Sequence, residues 1–134
     1  MYLLDTDTVI FGLRGDSRVR QSLLLHETDP KAISVVTWGE LFYGAMKSAN
    51  PEAALAKVRR IAEIFPIIDA SRGIMETFGS LKAQMEKDGK RADDFDLVIA
   101  ATALAVNFTL VTNNERHFRH IPGLQVTNWV AAGS

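Results

Sequence analysis

Met1-Tyr2-Leu3-Leu4-Asp5-Thr6-Asp7-Thr8-Val9-Ile10-Phe11-Gly12-Leu13 decides the architecture, because a short apolar run ends abruptly in a carboxylate and gives way to helical spacing. Residues 2–4 read as a buried strand and residues 6–13 as a helix that Gly15 and Asp16 interrupt, so Asp5 stands at a strand-to-helix junction. The alternation then repeats. Ser17 is placed to cap a helix through Arg18, Leu23 and Leu25, Asp29-Pro30 turns into a strand over residues 32–36, and Thr37 is placed to cap the next helix. Trp38, Leu41, Phe42, Ala45 and Met46 keep the spacing of an amphipathic helix. A helix from Asn50-Pro51 runs to Pro66, residues 67–69 form a third strand, and Ser71 opens a long helix that stops in the polar loop 87–91. Residues 97–106 are almost wholly apolar and predict a helix buried on most sides. Residues 109–112 are a fourth strand, 113–115 open a short helical turn, and 124–126 form a last strand before Trp129. Helices alternating with short strands predict an α/β sandwich around a mostly parallel sheet.

The 134 residues suffice for one core and leave little room for a second, so one domain over residues 1–134 is expected. A formal net charge of -1 means that any nucleic-acid contact must come from a local basic patch rather than a global field. The absence of cysteine excludes disulfides, zinc ribbons and thiol catalysis together, leaving hard oxygen ligands available. The N-terminus lacks the features of a signal peptide and no apolar stretch approaches the ~20 residues of a membrane span, so a soluble, cytoplasmic protein is expected.

In parallel sheets ligands bind beyond the carboxyl ends of the strands, where Asp5 and Asn114 fall and near which Glu40 lies. Asp5 and Asp96 are each open to an ordinary reading as helix caps. Glu40 lies opposite the apolar stripe of its helix, which by amphipathicity alone makes it a solvated residue. Gly44, one turn on, argues otherwise, since a glycine inside a helix costs about 1 kcal/mol relative to alanine and suggests close approach by something else. Brought together about 5 Å apart, two such charges would repel by roughly 3 kcal/mol at an effective dielectric near 20, which a divalent cation relieves.

Leu3-Leu4-Asp5-Thr6, Trp38-Gly39-Glu40-Leu41-Phe42-Tyr43-Gly44-Ala45, Phe95-Asp96-Leu97-Val98-Ile99-Ala100-Ala101 and Leu110-Val111-Thr112-Asn113-Asn114 resemble, in order and spacing, the PIN-domain nucleases. The ending, with Phe118, Ile121-Pro122-Gly123-Leu124 and Asn128-Trp129, is similar to VapC-type toxins of bacterial toxin-antitoxin pairs. The resemblance spans essentially the whole chain and implies a three-layer α/β/α sandwich with a short, mostly parallel central sheet. It also implies that Asp5, Glu40 and Asp96 are catalytic acids holding Mg²⁺ or Mn²⁺. The fourth family position falls on Asn114, where many relatives carry aspartate; a neutral oxygen there argues against a firmly held second ion. Relatives often read Asp-Thr-Asn where Asp5-Thr6-Asp7 stands, so Asp7 either adds acidity or caps a helix.

Asp93 and Asp94 also lie within reach of a cation, although as loop residues they read first as caps. Thr6 and Thr112 place hydroxyls beside the proposed pocket, as turn or strand residues or as supports for a ligand. The resemblance implies an endoribonuclease in which a metal-activated water attacks an RNA phosphodiester. Arg14, Lys90, Arg91, Arg116 and Arg119 are the candidate RNA contacts. His26, His117 and His120 read as surface or packing residues, and Trp38, Phe42 and Tyr43 as core or interface. A homodimer and a cognate antitoxin are the implied protein partners. Two rival readings stand beside this one. Leu3 to Val9 also resembles the start of haloacid-dehalogenase-type phosphatases, with Asp5 as nucleophile and Asp7 as acid/base, and a PIN-like module that binds RNA or protein without cutting would carry the same motifs.

Overall fold

Strand residues alternate between two apolar layers, and that period of two places the site. In the computed structural model, which describes residues 1–130, the chain runs β1 (Tyr2–Leu4), α1 (Thr6–Leu13), α2 (Ser17–Leu25), β2 (Lys31–Ser34), α3 (Val35–Lys47) and α4 (Pro51–Ile64). It continues as β3 (Ile67–Ile68), α5 (Arg72–Lys87), α6 (Asp94–Val106), β4 (Thr109–Val111), α7 (Glu115–Phe118) and β5 (Val126–Thr127). The expected single domain also takes in residues 131–134, which lie outside the described residues.

Every strand pairing is parallel, in the order β3-β2-β1-β4-β5, with β1 in the middle. Leu3, Ala32 and Leu110 point to one face and pack with Leu97, Ile99 and Ala103 of α6. Leu4, Ile33 and Val111 point to the other and pack with Val9 of α1, Leu41 of α3 and Val58 of α4. Helices therefore cover both faces, giving the expected three layers. The nearly continuous apolar run of α6 reflects burial on most sides, residues 97–103 all being buried.

Three helix starts differ from the sequence reading. Asp16, not Ser17, caps α2, accepting from the N–H groups of Arg18 and Val19. The Ser34 hydroxyl accepts from Val36 N–H and caps α3, in place of Thr37, so β2 ends at Ser34 and Val35 and Val36 are helical although their branching suggested strand. Asp93 caps α6 three residues earlier than expected, which moves Asp96 from the helix boundary into the first turn. β5 also begins later, at Val126. No helix among the described residues is long and apolar enough to cross a membrane.

Candidate active site

β1 and β4 run side by side in register, Leu4 opposite Val111, so the residues after them, Asp5 and Thr112, emerge together at the carboxyl edge of the sheet. Asp5 is 5% exposed. Its Oδ1 accepts from Thr6 N–H at 2.8 Å, which caps α1, and its Oδ2 accepts from the Thr112 hydroxyl at 2.7 Å. The capping and functional readings of Asp5 are therefore compatible. Thr6 does more than turn the chain: its hydroxyl donates to Glu40 Oε1 at 2.6 Å and lies 3.1 Å from the buried Thr37 hydroxyl. One residue of α1 thus ties Asp5 to Glu40 on α3, and Glu40 is half-buried rather than solvated. Gly44 does not mark a close approach, because a Cβ built there meets nothing within 4 Å.

Asp7 joins the group. Its Oδ1 accepts from Thr8 N–H at 2.7 Å, and its Oδ2 accepts from Asn113 N–H at 3.0 Å and from the Asn114 amide at 3.2 Å. Asn114 thus faces Asp7, while its own N–H donates to the Thr112 hydroxyl at 3.0 Å. Asp96 approaches from the first turn of α6, where its Oδ2 lies 3.2 Å from His117 Nδ1. That contact gives His117 a place in the site that sequence reasoning missed; its nearest warning was proximity to Asn114 along the chain. Asp94 is not part of the group, since it is exposed and pairs with Lys82 Nζ at 2.9 Å.

Burial sets the electrostatics of the three aspartates. Burial first, and the nearby Asp7 charge second, push the Asp5 carboxyl up to about 7, with Asp96 adding to the rise. Burial raises Asp7 as well, and burial followed by the charge of Asp93 raises Asp96. Burial and neighbouring acids make these carboxyls harder to ionise, and their hard oxygens suit a divalent cation of the Mg²⁺ or Mn²⁺ kind. The donor set fits in kind. Among the described residues, however, no three acidic or imidazole side chains converge on a single ion position as they stand. Glu40 is engaged by Thr6, and Asp96 by His117.

The candidate RNA contacts divide. Lys90, Arg91 and Arg116 line one cavity with Asp96, and Arg119 lines a second with Arg116, whereas Arg14 lines neither. Arg14 instead closes α1 as its C-cap. His120 shares the first cavity, and His26 stacks on Trp129 with the rings 5.4 Å apart. Trp38 is half-buried, while Phe42 and Tyr43 are exposed.

The family model "PIN domain" matches residues 2–124. The chain is 35% identical over 131 residues to ribonuclease VapC2 of Rickettsia felis, covering 96% of this chain and 98% of that protein. It is 33% identical over 129 residues to the tRNA(fMet)-specific endonuclease VapC of Salmonella typhimurium, covering 96% and 97%. Among solved structures, it is similar to a chain of the Rickettsia felis VapBC2 complex bound to a promoter DNA fragment, with a TM-score of 0.90 at 33% identity over 96% of this chain and 98% of that one.

Proposed function

Because the chain belongs to the PIN-domain family, among the VapC-type ribonucleases, we propose that it is the toxin of a toxin-antitoxin pair, a metal-dependent endoribonuclease acting as a single domain in the cytoplasm. The observation that carries this is the Thr6 bridge at the end of β1, whose N–H donates to the Asp5 carboxylate and whose hydroxyl donates to Glu40, with Asp7 and Asp96 close enough for their charges to raise Asp5. Asp5, Glu40 and Asp96 would hold Mg²⁺ or Mn²⁺. When bound, the ion supplies an activated water and stabilises charge developing on an RNA phosphodiester. The protein's share is positional. Thr112 and Thr6 fix the Asp5 carboxylate, Thr6 aims Glu40, and His117 steadies Asp96, while Asp7 braces the Asn113-Asn114 turn against the start of α1. The amide of Asn114 contributes no charge, which supports one firmly held ion.

A cognate antitoxin and a second copy of the chain are the proposed protein partners. The solved relatives in VapBC complexes support the first, and the exposed apolar Phe42, Tyr43 and Met46 of α3 support self-association. The phosphatase reading of Asp5 and Asp7 falls with the family kinship. Cleavage of structured RNA by the purified chain with Mg²⁺ or Mn²⁺ tests the proposal, against Asp5→Asn and Asp96→Asn variants matched for thermal stability. Loss of cleavage in both variants is expected. Undiminished cleavage would overturn the catalytic assignment, and no cleavage by the parent over a broad RNA panel would favour a binding module.

A further inference from the structure

We propose that Asn128 is a positioning residue for the cleavage site: it clamps the turn between β4 and α7, from which contacts to Asp5, Asp7 and Asp96 are made. The role rests on the nuclease reading and adds to it a residue far from the acids in sequence. β1, β4 and β5 lie side by side, with Leu4 opposite Val111 and Val111 opposite Thr127. Asp5, Thr112 and Asn128 are therefore the first residues past three neighbouring strands, and they form one row at the carboxyl edge, where strands stand about 4.8 Å apart. Asn128 is buried, at 7% exposed. Its amide nitrogen donates to Asn113 Oδ1 and to Glu115 Oε2, each at 3.3 Å, and its Oδ1 accepts from Val130 N–H at 2.8 Å.

The gripped turn serves three acids. Asn113 N–H and the Asn114 amide donate to Asp7 Oδ2, and Asn114 N–H donates to the Thr112 hydroxyl, which in turn donates to Asp5 Oδ2. His117, within α7, meets Asp96. α7 does not hold this turn by itself. It has four residues, too few for a helix to be stable alone, and Asn114 at its cap position makes no side-chain cap, its amide being turned to Asp7. Phe118, 1% exposed in the core, anchors the far end of α7, and Asn128 anchors the near end. One anchor leaves so short a helix free to pivot, whereas two fix it and the turn before it. The position requires a donor, because both atoms facing the Asn128 nitrogen are acceptors. Aspartate has the same shape but offers only acceptors, and it sets a second charge against Glu115.

RNA cleavage kinetics with Mg²⁺ or Mn²⁺, together with amide hydrogen exchange followed by NMR, test the clamp. Asn128→Asp is expected to lower kcat about tenfold with KM unchanged, since the residue acts through the turn rather than on RNA. Exchange of Asn113 N–H and Asn114 N–H is expected to quicken, while Asp5 N–H, bonded to Val111 within the sheet, exchanges as before. Glu115→Gln added to Asn128→Asp returns a donor to the pair and removes the second charge, and is expected to restore kcat to within about threefold of the parent. Val58→Ala, in the core beneath α4, lowers thermal stability by another route and is expected to leave kcat unchanged. Should Asn128→Asp fail to fold, Asn113→Ala with Glu115→Ala removes both acceptors from the other side and carries the same expectation for kcat, KM and the exchange of Asn114 N–H. Unchanged kcat, unchanged exchange, a loss confined to KM, no recovery on adding Glu115→Gln, or an equal loss of kcat in Val58→Ala would each overturn the clamp. Cleavage by the parent with kcat unaltered in Asn128→Asp removes the clamp alone. A parent that cleaves no RNA removes the nuclease reading, and the exchange rates then decide whether Asn128 holds the turn.

Discussion

Asp5 shows how one buried carboxyl couples stability to pH. Its pKa in the fold, about 7, lies above the ordinary aspartate value of 3.8, so between these values the folded chain binds more protons than the unfolded one. The contribution of Asp5 to the stability of the metal-free protein is therefore fully present below about pH 4, is lost as pH rises toward 7, and levels off above. Thermal melts in EDTA from pH 4 to 8 are expected to show this decline. Mg²⁺ is expected to raise the melting temperature at pH 8 far more than at pH 5, because only the ionised group attracts it. A flat profile in EDTA would mean that Asp5 carries no such charge penalty. Thr6→Val keeps shape and removes the hydroxyl that aims Glu40, so cleavage is expected to fall about ten- to a hundredfold with the fold intact, as judged by circular dichroism. Asp5, Glu40 and Asp96, the proposed metal ligands, could be singled out in the sequence because their motifs are local and ordered along the chain. The His117 contact was not, because it joins residues 21 apart and leaves no periodic trace in either helix.

Helix boundaries were the weakest part of the sequence reading, and the reason is chemical. Ser34 and Asp93 are as good caps as the residues expected in the cap role, and β-branched Val35 and Val36 fit a strand as readily as a first helical turn. Glu40 misled the helical wheel because a wheel treats one helix alone, whereas Thr6 at the start of α1 reaches across to it. Gly44 misled in the opposite direction. With open space around the site of its Cβ, Gly44→Ala is expected to stabilise the chain by about 1 kcal/mol, seen as a rise of about 3 °C in the melting temperature. At the end of α6, Asn107 adopts a left-handed φ of 57°, which asparagine and glycine tolerate. Asn107→Ala is expected to destabilise by about 1 kcal/mol and Asn107→Gly to be nearly neutral in the same melts.

For the molecule as a whole, the alternation of strands and helices made the layered α/β class legible, while the strand order was not. Nothing in a run such as Tyr2-Leu3-Leu4 says which neighbours flank it; only its burial on both faces marks it as interior. The order found puts the first strand at the centre, between partners that begin at Lys31 and Thr109. The Asp5–Thr112 hydrogen bond consequently joins residues 107 apart. During synthesis the N-terminal half emerges first, at about 5–20 residues per second, and through that interval Asp5 has neither the β4 neighbour nor the Thr112 hydroxyl that hold it in place. The Asp5–Thr112 pair is therefore absent from the growing polypeptide until β4 and the residue after it have been made.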